Sequence, residues 1–318
     1  MPLEIGLIGA TAIAARTMLA PAAKENARVR AVAASDAVRA KEFANWHGIE
    51  VVHENYAALL ADPQIDAVYI SLHNSAHHRW AVRAAVAGKH VIVEKPLCLT
   101  ADEVAELEFA ADDAVQVTEA VATAHHEWQQ LIRTFIDDHR YGALRAIRTH
   151  LTFAEPKPGG YRDHPELGGG IFHDCASYWL QALQATVGLD PTDLAASSPF
   201  DGPNTVDRTF QATLHWPQTV ATLDCSTGST HRSDHLFEFE TATVKLRNFL
   251  RPVLASLPLN LVVTPTAGPR EVISFAPVSY YDRQLIRVVE GESNLADAIP
   301  RIELMHALYT DARRKATP

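Results

Sequence analysis

The sequence predicts an α/β chain of two domains, a doubly wound parallel sheet in residues 1–121 and a large open, mainly antiparallel sheet in residues 122–318. Two patterns lead to this prediction. Apolar strands alternate with helices of about 10–15 residues through the first part, as in parallel sheets. Beyond about Ala122, apolar and polar residues alternate along longer segments, which is typical of antiparallel strands. A length of 318 residues also favours two domains.

The composition argues against several classes of partner. A net charge of −10 with no basic cluster disfavours nucleic acid and acidic membrane surfaces. No apolar run approaches the roughly 18 residues of a membrane span, and Met1–Ile5 lacks the basic segment of a signal peptide. The three cysteines lack a CxxC spacing, which favours reduced thiols and a cytoplasmic protein. The histidine spacings do not converge on any predicted element, so no metal site is predicted.

The first strand leads into a turn that suits a dinucleotide. Leu3–Ile8 is followed by Gly9-Ala10-Thr11-Ala12-Ile13-Ala14 and then by a helix to about Asn26. In the fingerprint G-x-G-x-x-G/A, Gly9 is the first glycine and Ala14 the last small residue, while Thr11 replaces the second glycine. The turn predicts cofactor contacts from Gly9, Thr11, Ala12 and Ile13. The same residues would also suit a tight strand–helix turn without a ligand.

The second strand, Val29–Ala34, ends in Ser35-Asp36. A carboxylate at this strand end would accept hydrogen bonds from ribose hydroxyls and repel a 2′-phosphate, so Asp36 favours NAD over NADP. Arg39 could meet a 2′-phosphate, which leaves NADP possible. Asp36 also suits the N-cap of a helix over Ala37–Trp46, and both roles can hold.

A lysine follows a later strand of the same alternation. Further strands are predicted at Glu50–Val52, Ala67–Ser71, His90–Val93 and Val115–Thr118, and helices at Asn55–Ala61, Ala76–Ala87 and Ala101–Asp113. Glu94-Lys95-Pro96 follows the third of these strands. Ligands of open α/β sheets bind beyond the carboxyl ends of strands, so Lys95 is predicted to lie beside a bound ligand. The alternative is a solvated lysine on a loop.

The second part carries period-2 strands and ends in helices. The strands are predicted at Ala143–Phe153, Thr209–Trp216, Val220–Ser226, Leu236–Thr241, Thr243–Leu246, Leu259–Thr264 and Val272–Phe275, and the helices at Asp282–Glu290 and Ala296–Arg314. Such a sheet presents one face to helices and the other to solvent or a partner subunit. A mixed second face of this kind predicts a homodimer or homotetramer.

Two segments of the second part could carry chemistry. The loop Pro156–Glu166 contains Arg162 and could cover a substrate, although a plain connector is the alternative. Gly168-Gly169-Gly170 leads into a helix on which Asp174 and Tyr178 share one face. His173 could line the same pocket. A surface aspartate and a half-buried tyrosine would explain the same pattern without function.

Together these motifs resemble the Gfo/Idh/MocA family, which includes many sugar dehydrogenases and dimeric dihydrodiol dehydrogenase. Glu94-Lys95-Pro96 matches the EKP motif of that family, and Asn74 and His77 match its T-P-N-x-x-H turn. Glu119-Ala120 with His125-His126 matches its E-A-x-M-x-R-H-H-P stretch. Its R…GGG…D…Y segment is matched by Arg162, Gly168–Gly170, Asp174 and Tyr178. Leu72-His73 replace the usual Thr-Pro, and Ala124 and Glu127 replace the arginine and proline of the histidine stretch.

The resemblance implies an NAD(P)-dependent oxidoreductase that transfers hydride between nicotinamide and a secondary alcohol or ketone of a sugar or cyclic polyol. It also implies the site residues, which are Asn74, His77, Glu94 and Lys95 toward the cofactor, Lys95, Asp174 and Tyr178 in catalysis, and Arg162, His173 and Asp174 toward the substrate. The alternatives are oxidation of trans-dihydrodiols and a non-catalytic dinucleotide or sugar sensor on the same fold. Lys95, Asp174 and Tyr178 together favour the enzyme, because a sensor needs no proton donor.

The predicted chemistry requires a proton acceptor for the substrate hydroxyl. Tyr178 can serve only if the pKa of its phenol, ordinarily about 10, is lowered. Lys95 is predicted to lower it by its positive charge, with Asp174 holding Lys95 and a substrate hydroxyl in place. Lys95 could alternatively act as the acid–base itself.

Overall fold

The structure is a computed structural model that describes residues 1–228, 230–254 and 257–316. Its first part consists of β1 (Leu3–Ile8), α1 (Ala12–Ala14, a π-helical turn Ala15–Leu19, and Ala20–Ala22), β2 (Ala27–Ala33), α2 (Ala37–His47), β3 (Val51–Val52), α3 (Tyr56–Leu60), β4 (Ala67–Ile70), a 3₁₀ turn (Asn74–Ala76), α4 (His77–Val86), β5 (His90–Glu94), α5 (Ala101–Ala110) and β6 (Val117–Ala120).

The second part begins with α6 (Glu127–Asp137) and β7 (Leu144–Ala154). It continues with 3₁₀ turns (Tyr161–Asp163, Pro165–Leu167), α7 (Phe172–Thr186), β8 (Asp193–Ser197), a 3₁₀ turn (Pro203–Thr205), β9 (Thr209–His215), β10 (Val220–Gly228), β11 (Arg232–Phe239), β12 (Ala242–Arg247), α8 (Arg251–Leu254), β13 (Leu257–Pro265), β14 (Glu271–Val278), α9 (Tyr280–Val289) and α10 (Leu295–Ala316).

The first six strands form one parallel sheet in the order β3-β2-β1-β4-β5-β6. This is the order of a doubly wound Rossmann sheet, in which the direction of winding reverses between β1 and β4. The central strands are apolar on both faces, and Ile5, Leu7 and Ile8 are fully buried. The reversal leaves a crevice at the carboxyl ends of β1 and β4, where ligands of such sheets bind.

The remaining eight strands form a mixed sheet in the order β14-β13-β12-β11-β7-β10-β9-β8. All its pairings are antiparallel except that of β10 with β7. The period-2 alternation predicted for this segment is present in β9, where Phe210, Ala212 and Leu214 are buried. The predicted fold class, a Rossmann sheet followed by a large and mainly antiparallel sheet, is confirmed.

The chain groups in space into two compact units. The first unit contains Met1–Ala122 together with Tyr280–Ile302, and the second contains Thr123–Ser279 with Glu303–Pro318. Within the first unit, Leu285 and Val288 of α9 join the core cluster that contains Ala14 and Met18 of α1. A late segment of the chain, Tyr280–Ile302, therefore completes the core of the unit that the first 122 residues begin. None of the helices described is long and apolar enough to cross a membrane.

Candidate active site

The turn after β1 presents a helix N-terminus at the crevice of the parallel sheet. Gly9 has φ +113°, and a Cβ there would lie 2.7 Å from the Ser71 carbonyl oxygen, so glycine is required. The Thr11 hydroxyl accepts a hydrogen bond from the Ala14 N–H (3.1 Å) and lies 2.8 Å from the Ser71 hydroxyl. Ala12 and Ile13 open the helix, so their N–H groups have no acceptor within it. This turn therefore fits an anionic phosphate.

Asp36 at the end of β2 is the N-cap of α2. Its Oδ1 accepts hydrogen bonds from the Val38 N–H (2.7 Å) and the Arg39 N–H (2.9 Å). The capping role anticipated for Asp36 is thus confirmed. Because both bonds go to Oδ1, the Oδ2 atom takes no part in the cap and keeps its capacity to accept a further hydrogen bond.

His77 ties together the loops that follow β4 and β5. Its Nδ1 lies 2.8 Å from the Pro96 carbonyl oxygen and its Nε2 lies 3.2 Å from the Leu72 carbonyl oxygen. Burial lowers the pKa of His77 to about 4, against the effect of the two carbonyls. The ring is therefore neutral and donates one hydrogen bond at a time. This bridge holds the segment Lys95–Pro96, which contains a cis peptide bond, against the turn that begins at Asn74.

Glu94 ends β5, and its carboxylate is hydrogen-bonded from the sheet itself. The hydroxyl of Tyr69, a fully buried residue of β4, donates to Glu94 Oε1 at 2.5 Å. One strand further, the buried Glu119 accepts a hydrogen bond from the Leu97 N–H and forms an ion pair with Arg301 at 2.8 Å. The partly buried carboxylate of Glu94 and the buried carboxylate of Glu119 thus lie on either side of the Lys95 segment in the fold.

In the second unit, Arg162 and Asp174 form a two-pronged ion pair. Arg162 Nε lies 2.5 Å from Asp174 Oδ2, and Nη2 lies 3.1 Å from Oδ1. Burial would lower the pKa of Arg162, but the Asp174 carboxylate outweighs burial and raises it. Tyr178 lies near enough for its phenolate charge to contribute to this rise. The three residues assigned to one site in this unit are therefore brought together.

Tyr178 differs from its neighbours on α7 in exposure. Residues 168–183 are buried throughout except for Tyr178, which is partly exposed. Asp174, one helical turn earlier, is 8% exposed. The helix is thus a packed element that presents one phenol to its surroundings, with a carboxylate–guanidinium pair beside it.

The loop that carries Arg162 is anchored by its neighbour Asp163, which is buried. Asp163 Oδ1 pairs with Arg208 Nη2 at 2.7 Å, and Oδ2 accepts from the Gly159 N–H at 2.7 Å. A Cβ at Gly169 would lie 2.7–2.8 Å from three carbonyl oxygens of this loop. The glycines therefore let the loop close onto the start of α7, and Arg162 is held at a fixed place.

His173 and Asp207 secure the N-terminus of α7. His173 Nδ1 lies 3.3 Å from the Gly169 carbonyl oxygen, its ring packs 4.6 Å from that of Tyr309, and burial lowers its pKa to about 4. The fully buried Asp207 accepts from the Phe172 N–H at 2.7 Å, and burial raises its pKa to about 7. The substrate role predicted for His173 stays a prediction.

The candidate residues are divided between the two units. Gly9, Thr11, Asp36, Asn74, His77, Glu94 and Lys95 belong to the first unit, while Arg162, His173, Asp174 and Tyr178 belong to the second. Within the first unit they lie near the carboxyl ends of β1, β2, β4 and β5, the edge at which doubly wound sheets bind their ligands. Residues 3–121 match the family described as "Oxidoreductase family, NAD-binding Rossmann fold".

The second unit also matches the model of a known domain. Residues 129–243 match the GFO/IDH/MocA C-terminal domain. The chain is 33% identical over 253 residues to an uncharacterized oxidoreductase, ORF334, of Rhizobium meliloti, covering 78% of this chain and 75% of that one. The chain therefore belongs to the Gfo/Idh/MocA family of NAD(P)-binding oxidoreductases, and the family prediction is confirmed.

Two further similarities come from sugar-modifying proteins. The dTDP-3,4-didehydro-2,6-dideoxy-alpha-D-glucose 3-reductase of Actinomadura kijaniata is 30% identical over 285 residues, covering 89% of this chain and 80% of the reductase. KijD10, a 3-ketoreductase from Actinomadura kijaniata solved with NADP and TDP-benzene, superposes with a TM-score of 0.89 at 24% identity over 98% of each chain. The superposition shows that the two chains share a fold.

Several residues around the site were not predicted from the sequence. They are Thr17, Tyr69, Asp163, Asp207 and Arg208. Each acts through a partner on another element, as Asp207 does through Phe172, 35 residues away in sequence. No local motif marks such pairs. Only the buried character of Tyr69, in an apolar strand where its hydroxyl needs a partner, was a usable signal.

Proposed function

We propose that this protein is an NAD(P)-dependent oxidoreductase that interconverts a secondary alcohol and a ketone in a sugar or cyclic polyol. The observation that carries the proposal is the Arg162–Asp174 pair beside Tyr178, the only partly exposed side chain in residues 168–183. A carboxylate fixed by a guanidinium suits the hydroxyls of a carbohydrate, and a phenol suits proton exchange with one of them. The sugar-reducing relatives support the same substrate class.

The chain's own groups would bind and orient the reactants. When bound, the nicotinamide supplies the hydride chemistry. The turn at Gly9–Ile13 would hold the pyrophosphate, and Asp36 Oδ2 a ribose hydroxyl. Asp174 would accept a hydrogen bond from a substrate hydroxyl, while Tyr178 exchanges the proton and the Lys95 cation favours its phenolate.

A binding experiment followed by a turnover screen tests this function. Fluorescence titration with NADH and NADPH should show saturable binding, and a dehydrogenase screen of sugars, polyols and trans-dihydrodiols should find turnover with the tighter cofactor. Turnover of a trans-dihydrodiol alone would move the substrate class to that alternative. Binding without turnover on the whole panel would favour a sensor, and the absence of binding would contradict the proposal.

The role proposed for Asp36 predicts preference for NAD over NADP. Asp36→Ser removes the charge but keeps a residue that caps helices well. Because the variant no longer repels a 2′-phosphate, the ratio of NADP to NAD affinity should rise roughly tenfold. The measurement is a pair of titrations on each protein, with Asp36→Asn as a second uncharged, capping variant. Tighter binding of NADP by the parent, with a ratio unchanged in both variants, would contradict the assignment.

We also propose that the protein is a homo-oligomer, a dimer or a dimer of dimers, joined through the outer face of the second sheet. That face is mixed rather than uniformly charged, with the exposed Arg148 paired to Glu238 at 2.8 Å and Val272 53% exposed. Light scattering at micromolar concentration should give a multiple of the 34.8 kDa chain mass. A mass equal to one chain would rule the assembly out.

A further inference from the structure

Tyr69 is an unusual residue for the middle of a parallel sheet. It is fully buried in β4, where it pairs with Ile92 of β5, and Glu94 lies two residues further on the same face of that strand. A tyrosine hydroxyl in such a place needs a partner. The Tyr69 hydroxyl finds it in Glu94 Oε1 at 2.5 Å. This hydrogen bond thus joins Tyr69 in the core of the sheet to Glu94 at the edge where such sheets bind ligands.

The other end of this connection is Thr17, which is fully buried in the π-helical turn of α1. The Thr17 hydroxyl carries one proton, which it can donate either to the Ile13 carbonyl oxygen at 2.9 Å or to the hydroxyl oxygen of Tyr69, whose own proton goes to Glu94. Such π-helical turns are rare and often mark functional sites, because they re-aim one side chain within a helix. Here the turn places Thr17 beside Tyr69. The same helix begins with Ala12 and Ile13, which follow the turn at Gly9.

We infer that Tyr69, supported by Thr17, fixes the Glu94 carboxylate as a hydrogen-bond acceptor for the nicotinamide half of a bound dinucleotide. The inference rests on the proposed function. Strands β4–β6 form the second mononucleotide-binding half of a doubly wound sheet, and Glu94 ends the middle strand of that half. Tyr69 is in this view a positioning residue that acts through Glu94.

The charges around Glu94 decide how its carboxylate responds to pH. Burial raises the pKa of Glu94, which the Tyr69 hydrogen bond and the Lys95 cation oppose. Glu119 on β6 raises it further, although Arg301 neutralises much of that charge. Tyr281 of α9 faces Tyr69. Since Tyr69 donates to the ionised form, its loss must raise the pKa of Glu94.

The test is cofactor binding across pH, measured by calorimetry with the acid-stable NAD⁺ and NADP⁺ between about pH 5 and pH 9. In the parent, affinity should fall as the pH drops and Glu94 takes up a proton. Tyr69→Phe keeps the ring and removes the donor, so it should weaken binding about fivefold to tenfold at neutral pH and move the acid loss to higher pH. Thr17→Val should produce the same change to a smaller extent.

The double variant separates positioning from simple damage to the fold. Glu94→Gln should remove the acid loss, and adding Tyr69→Phe to Glu94→Gln should then leave the pH profile unchanged. If Tyr69→Phe weakens binding equally at every pH, or shifts the profile without Glu94, the inference is wrong while the proposed function stands. If the parent binds neither cofactor at any pH, the proposed function fails instead.

Discussion

Lys95→Met should abolish turnover while the cofactor still binds. Methionine has similar length and no charge, so the variant loses the cation but keeps most of the packing of a partly buried side chain. The contact of His77 with the Pro96 carbonyl oxygen and the hydrogen bond from Tyr69 to Glu94 anchor this segment on both sides of Lys95. Neither contact involves the ammonium group of Lys95. Lys95 is proposed either to stabilise the Tyr178 phenolate by its charge or to transfer the proton itself. Methionine can do neither, because it has no charge and no titratable group.

Steady-state turnover and NADH titration on the same preparation measure the two effects. We expect turnover at least 10³-fold below the parent, a loss of roughly 4 kcal/mol in transition-state stabilisation, and an NADH affinity within about threefold of the parent. Lys41→Met, at an exposed site on α2, is the matched control and should behave as the parent. Substantial activity in Lys95→Met would remove Lys95 from the mechanism.

Tyr178→Phe is the second variant with a large expected effect. It removes the phenol oxygen and leaves the ring that packs on α7, so the Arg162–Asp174 pair should remain formed. Loss of general acid–base catalysis costs about 10²–10⁴-fold in rate. We therefore expect kcat to fall by that factor and the pH–rate profile to lose one limb.

A matched control comes from the same unit. Tyr141 packs against Phe135 and Phe239, away from the predicted site residues in sequence and contacts, and Tyr141→Phe should leave the rate and profile unchanged. If Tyr178→Phe instead matches the parent in rate and pH profile, Tyr178 only lines the pocket. Lys95 or a histidine such as His173 must then carry the proton.

The sequence predicted the parts of the fold that local patterns encode. Asp36 was anticipated as a helix cap because capping is a contact within four residues, and the cap is present. The parallel sheet followed from alternating strands and helices. Helix α6 was missed, although Trp128, Ile132 and Phe135 recur on one face with helical spacing.

The sequence could not predict the parts that depend on distant partners. The parallel pairing of β10 with β7 joins segments about 75 residues apart, and no periodicity distinguishes it from an antiparallel pairing. The short edge strand β8 has a polar residue at each end, Asp193 and Ser197, and was likewise missed. In the candidate site, Arg162, Asp174 and Tyr178 were found through a motif. Their supports, Asp163 with Arg208 and Asp207 with Phe172, are tertiary contacts.

The return of the chain to its first unit has a consequence for how that unit becomes stable. The buried carboxylate of Glu119 forms its ion pair with Arg301, which lies 182 residues later in sequence. Leu285 and Val288 pack onto the core beside α1. A fragment that stops near residue 121 would leave a buried carboxylate unpaired, at a cost of about 3–5 kcal/mol, and part of its core open. During synthesis, the core of the first unit therefore remains incomplete until the segment from Leu285 to Arg301 has left the ribosome.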